Sequence, residues 1–173
     1  MIINKLVNSK IEREYFFVKG KLNIDVKYFM DQIDQGCMAD DNKNYQTNVV
    51  GQMTSYDYFV GNRRFAKVLM PILDLIDSYK FKEIDSYTLG EAWGIRECFS
   101  DYTVKHHHLP AFLSGAIMLN KHSQSLEFDD IGEKLECEPG NFALFSSFLN
   151  HGNKRNVDDK CRYGLSFNFF YKK

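Results

Sequence analysis

The strongest limit on how this chain can fold is the change of texture after Ile84. From there onward, short segments rich in Tyr, Phe, Leu and Ile alternate with turn-forming clusters at SDY, NKHSQS, DDIGE, EPGN, NHGN and VDDK. Aromatic and β-branched runs bounded by such clusters are strand signals. About eight strands at this spacing predict a jelly roll or a small barrel. The 15 Phe and 10 Tyr of the 173-residue chain point the same way, because aromatic side chains suit a pleated, half-buried surface.

The first half reads differently. An aromatic strand is expected over Glu14 to Val18, followed by an amphipathic helix from Asp25 to Ile33 with Val26, Phe29, Met30 and Ile33 on one stripe, stopped by Gly36. Residues 39–48, ADDNKNYQTN, are polar and aperiodic and read as a loop, either a lid or a disordered connection. From Asn62 to Tyr79, Phe65, Val68, Leu69, Ile72, Leu73 and Ile76 form a helical stripe interrupted only by Pro71. The expectation is a single mainly β (α+β) domain. Residues 1–84 supply N-terminal buttressing helices and a strand, and residues 85–173 supply the β-core.

Several function classes lose ground on composition. A formal charge of -1, from 22 basic and 23 acidic residues, provides no global field for nucleic acid or anionic membrane. No apolar run approaches the ~20 residues that span a bilayer. Cys37, Cys98, Cys137 and Cys161 are far apart in sequence and follow no secretory signal, so they read as reduced thiols of a cytoplasmic protein, a monomer or homodimer.

The densest chemistry is Lys105-His106-His107-His108, just before the apolar run Phe112 to Leu119. Alternate side chains of a strand share a face, so His106 and His108 can point together while His107 points away. A third imidazole, His151, ends the hydrophobic segment Phe145 to Asn150. Imidazole suits Fe, Zn, Cu and Ni alike, and a run of histidines can equally be a solvated patch. Arg162, eleven positions after His151, strengthens the metal reading: a guanidinium on a neighbouring strand can clamp a carboxylate bidentately, and a buried arginine needs an anion.

Taken in order, Trp93, His106-x-His108, Leu113-Ser114-Gly115, Leu126-x-Phe128, Pro139-Gly140, Phe145-x-Ser147, His151 and Arg162-x-x-x-Ser166-Phe167-Asn168 resemble the 2-oxoglutarate/Fe(II)-dependent oxygenases. The similar subgroup, common in marine bacteria and phages, carries H-x-H, L-S-G, a distal histidine and R-x-x-x-S-F-N. The resemblance spans roughly residues 87–170. It implies a double-stranded β-helix with Fe(II) at its open end on His106, His108 and His151. It also implies 2-oxoglutarate held through Arg162, with Ser166 and Asn168 in the cosubstrate motif, and O₂ as co-reactant. The reaction implied is hydroxylation of a substrate C–H bond with release of succinate and CO₂, in the cytoplasm of a bacterium or of an infected host cell. The substrate stays open among a small molecule, a peptidyl side chain and a nucleobase.

Departures from the pattern are specific. His108 stands where most of the superfamily has a carboxylate ligand, which leaves Asp101, Glu127 or Asp129 as alternative third ligands. Gly164 replaces a serine, Met118 an aromatic and Leu109 a proline. Trp93 and the 39–48 loop are candidates for the substrate side, with Trp93 equally suited to ordinary core. Two other classes compete: a cupin-like three-histidine metal enzyme that needs no 2-oxoglutarate, and a non-catalytic jelly-roll binding module.

Overall fold

A computed structural model describes residues 14–38, 47–79 and 86–172. Most of the 39–48 loop therefore lies outside the described residues. The elements in chain order are β1 (Phe17–Lys21), α1 (Val26–Met38), β2 (Val49–Val50), β3 (Gln52–Met53), α2 (Arg63–Tyr79), β4 (Tyr87–Glu97), β5 (Tyr102–Thr103), β6 (Leu113–Met118), β7 (His122–Phe128), β8 (Glu133–Cys137), β9 (Asn141–Ser146) and β10 (Arg162–Tyr171). Seven of the strands begin after Ile84, close to the number expected.

The strands form a six-stranded antiparallel sheet in the order β1-β9-β6-β10-β4-β3, with two-stranded sheets β7-β8 and β2-β5. This is the jelly-roll plan. Sequence-distant strands lie side by side, and the small sheets complete the second layer. Helices α1 and α2 cover the outer face of the large sheet. Phe29, Ile33, Phe65 and Ile72 pack there with Leu113, Ile117, Leu144, Leu165 and Phe167. On the opposite face, Ala116, Met118, Ala143 and Phe145 of the large sheet meet Leu126, Phe128 and Leu135 of β7-β8. Each central strand thus feeds two cores by alternation.

Three local expectations need correction. The first helix does not stop at Gly36: α1 runs to Met38 with Gly36 buried inside it. A Cβ there would lie 2.6 Å from Thr54 and 2.8 Å from Tyr58, so this glycine permits close packing and is not a cap. The expected strand at Glu14–Val18 is shifted to Phe17–Lys21. Pro71 does not interrupt α2, which runs from Arg63 through to Tyr79.

The cysteine reading is corrected as well. Cys98 and Cys161, 63 positions apart in sequence, form a disulfide, while Cys37 and Cys137 are free. They meet because β4 and β10 are antiparallel neighbours whose register pairs Glu97 with Arg162, leaving the next residues of each strand side by side. The support that four reduced thiols lent to a cytosolic location goes with that reading. Among the described residues, no helix is long and apolar enough to cross a membrane.

Candidate metal centre

Two loops and the main chain between them build the site. His106 and His151 form an isolated antiparallel bridge, each backbone N–H donating to the other's carbonyl at 3.0 and 2.9 Å. The His108 N–H donates to the carbonyl of Ser147 at 2.8 Å. Neither His106 nor His108 belongs to a full strand, yet paired backbone at both positions produces the alternation expected of one. His107 is exposed and lies outside the cluster.

The ligating nitrogens of His106, His108 and His151 lie within 4.8 Å of one another. The rings stand 4.6 to 4.9 Å apart between centroids, and the Nε2 atoms of His108 and His151 are 3.1 Å apart. A metal binds imidazole nitrogen at ~2.1 Å, so donors spaced like the His108–His151 pair fit adjacent coordination positions. Each Nδ1 faces a polar partner: the Val104 carbonyl for His106 at 2.7 Å, the Leu149 carbonyl for His151 at 3.0 Å, and the Asn168 amide for His108 at 3.4 Å. For His106 and His151 the carbonyl fixes the proton on Nδ1 and leaves Nε2 with a free lone pair able to ligate a metal.

Burial keeps these imidazoles neutral, the form that ligates. His151 is pushed down to about 3 by desolvation and by its proximity to His106. Desolvation and the neighbouring His151 hold His108 well below the ordinary histidine value, and desolvation lowers His106 too. Phe128 and Phe145 pack on the His151 ring and Trp93 on His108, with centroids 5.4, 4.8 and 5.6 Å away, covering the inner side of the cluster, while His106 and His108 stay half-buried.

The carboxylates named as alternative third ligands are engaged elsewhere. Asp101 accepts from the Cys98 backbone, Glu127 pairs with Lys154, and Asp129 pairs with Lys105. Among the described residues, the cluster is made of histidine alone.

A cavity of about 280 Å³ adjoins the three histidines. Its walls include Arg162, Gly164, Ser166, Asn168 and Phe170 of β10 and Glu91, Trp93 and Ile95 of β4. Arg162 is buried, as expected, but its anion is a residue the sequence reading did not single out. Glu97, fully buried, pairs with one Nη and also accepts from Thr103 at 2.6 Å and Asn153 at 2.8 Å. The other Nη approaches the Met118 sulfur at 3.5 Å, and Nε has no hydrogen-bond partner among the described residues. The Arg162 guanidinium therefore keeps donors in reserve. A period-two pattern of Glu91, Trp93, Ile95 and Glu97 was present in the sequence and could have flagged both carboxylates.

Asn168 has three polar neighbours within the protein. Its amide accepts from the Ser114 hydroxyl at 2.7 Å, donates to Glu91 at 2.6 Å and faces His108. Ser166 is half-buried on the cavity wall.

No protein-family model matches the chain. No curated protein matches it either. Solved structures do. A viral collagen prolyl hydroxylase from Paramecium bursaria Chlorella virus 1, in complex with 2-oxoglutarate, superposes with a TM-score of 0.68 at 12% identity, over 91% of this chain and 96% of that one. A Pseudomonas putida prolyl-4-hydroxylase gives 0.65 at 13%, covering 91% and 93%. The non-heme α-ketoglutarate-dependent epimerase SnoN of nogalamycin biosynthesis gives 0.66 at 13%, covering 91% and 80%. At such identities the likeness is one of fold. It is the fold the sequence resemblance implies: the jelly roll of 2-oxoglutarate/Fe(II) oxygenases.

Proposed function

We propose that the protein is an Fe(II)- and 2-oxoglutarate-dependent oxygenase that hydroxylates a C–H bond of its substrate. The observation that carries this reading is the pairing of three convergent neutral imidazoles with a buried arginine that lines the same cavity and keeps unused donors. His106, His108 and His151 would hold the iron as three neutral imidazole ligands. Once bound, iron with 2-oxoglutarate supplies the oxidising chemistry, with succinate and CO₂ as co-products.

The chain's own residues do the rest. Arg162 would receive the distal carboxylate on donors that Glu97 does not occupy, with Ser166 farther along the same strand face, while Glu97 holds the guanidinium in place. Asn168, fastened by Ser114 and Glu91, orients the His108 ring. Phe128, Phe145 and Trp93 cover the inner side of the centre. A three-histidine set lacks the negative ligand of the commoner triad, and the buried Glu97 is neutralised by Arg162.

The test has two readouts. Anaerobic addition of Fe(II) and 2-oxoglutarate should give a weak visible metal-to-ligand charge-transfer band, and air should then yield succinate. His151→Ala should abolish both. The paired variant Arg162→Met with Glu97→Gln removes both buried charges together and should weaken 2-oxoglutarate binding by about 30-fold or more with little change in metal affinity. Metal binding and O₂ consumption without succinate would overturn the reading in favour of a cupin-like enzyme.

A further inference from the structure

The oxygenase reading leaves the substrate open, and one wall of the cavity bears on it. Two of the cavity's lining residues carry a formal charge, Arg162 and Glu91. Arg162 is already neutralised by Glu97. The Glu91 carboxylate has no cationic partner among the described residues. One of its oxygens accepts from Asn168 at 2.6 Å and the other accepts nothing there. On the same wall, Trp93 stands two residues along β4, its ring edge-to-face with Tyr56 at 5.0 Å and 5.6 Å from the His108 ring. Met53, Tyr56 and Trp93 are grouped together at this end of the cavity.

We infer that this wall is a recognition site for a cationic group, an aliphatic ammonium or guanidinium, borne by the substrate. A half-buried carboxylate lining the same cavity as Trp93 and Tyr56 is a complementary environment for such a cation: the carboxylate supplies the counter-charge and the aromatic residues an apolar wall for the adjoining carbon chain. A neutral or anionic group placed there leaves Glu91 desolvated without compensation. Glu91 is linked through Asn168 to the ring of His108, so the cation would anchor close to the metal centre and leave the adjoining carbon chain to lie across it. The inference rests on the oxygenase reading for the reaction performed, but binding of the cation does not require it.

Trp93 is the chain's single tryptophan, so intrinsic fluorescence reports on this wall directly. The intact chain, metal-free and loaded with Zn(II), is titrated with cadaverine and with its neutral isostere 1,5-pentanediol, and calorimetry repeats the comparison independently of the fluorophore. Cadaverine should bind saturably, at least about tenfold more tightly than the diol, and lose that margin in Glu91→Gln. Glutamine accepts the same Asn168 N–H, so a carboxylate that serves only to prop Asn168 would leave cadaverine binding unchanged in this variant, and that result overturns the inference. Equal binding of diol and diamine by the unaltered chain, or no binding of either, overturns it as well, without reference to any variant. Succinate formation and the charge-transfer band are separate readouts: loss of those with diamine binding intact would sink the oxygenase reading and leave the cation site standing.

Discussion

The two faces of β10 differ in almost everything but backbone. Tyr163, Leu165, Phe167 and Phe169 face the helices and belong to one continuous apolar core. Arg162, Gly164, Ser166 and Asn168 face the cavity, where the partners are a buried carboxylate, an amide–hydroxyl pair and open space. Strand β4 divides the same way, with Ala92 and Gly94 toward the helices and Glu91, Trp93, Ile95 and Glu97 toward the cavity. The helix-facing side is held by non-directional burial, in which each side chain is replaceable by another of its volume. The cavity side is held by directional contacts between particular pairs, so chemistry can be placed there only because the opposite face has stabilised the sheet.

The comparison can be broken by attacking each face in turn. Phe167 is fully buried between Phe65 and Phe169, and a Cβ on Gly115 would collide with its ring. Phe167→Ala should cost about 3–5 kcal/mol in chemical denaturation, while any molecules that remain folded bind metal as before. On the cavity side, Glu97→Gln removes the counter-charge of a buried guanidinium and should cost about 3 kcal/mol. Here, unlike in Phe167→Ala, the change should also alter 2-oxoglutarate binding measured on the folded fraction. A stability loss in Phe167→Ala matched by a proportionate loss of intrinsic metal affinity would show that the faces are not separable.

A smaller effect separates the faces by pH. In the metal-free protein, His151 and His108 titrate below the ordinary histidine value of 6.5, so between that value and about 3 the unfolded chain binds more protons than the folded one. Stability should therefore be full above pH 6.5 and fall progressively as the pH drops toward 3, and saturating metal should delay the loss. His151→Gln should flatten that slope; an unchanged slope would place the titrating groups elsewhere. The smallest effect belongs to His107. It is exposed between His106 and His108, and His107→Ala should change stability by less than about 0.5 kcal/mol and leave the charge-transfer band intact. Loss of the band in this variant would invert the assignment of His107 and His108.

Local sequence was enough for the elements whose signals are local. Helix α2 follows from its apolar stripe, the β-rich second half from its turn clusters, and the convergence of His106 and His108 from their spacing. His151 stood out at the end of a hydrophobic segment and Arg162 by its spacing from it, and the order of motifs along the chain then joined them to the pair. Where one residue's role depends on a distant partner, the local signal misleads. Gly36 reads as a stop because its need for close approach to Thr54 and Tyr58 is invisible in its neighbours.

What the sequence by itself determined is the alternation: which residues of each strand are apolar and which polar, and hence that a sandwich with one chemical face would form. Tertiary structure alone decided the pairings across that face. Glu97 meets Arg162 across 65 positions, Glu91 meets Asn168 across 77, and Cys98 meets Cys161 across 63. All three follow from the single antiparallel register of β4 against β10. That register is set by burying two apolar faces at once, because a slip by one residue would turn every core side chain toward the cavity. A cooperative sum of this kind has no local trace, so the partner of the buried arginine and the charge on the cavity wall became legible only once the strands were side by side.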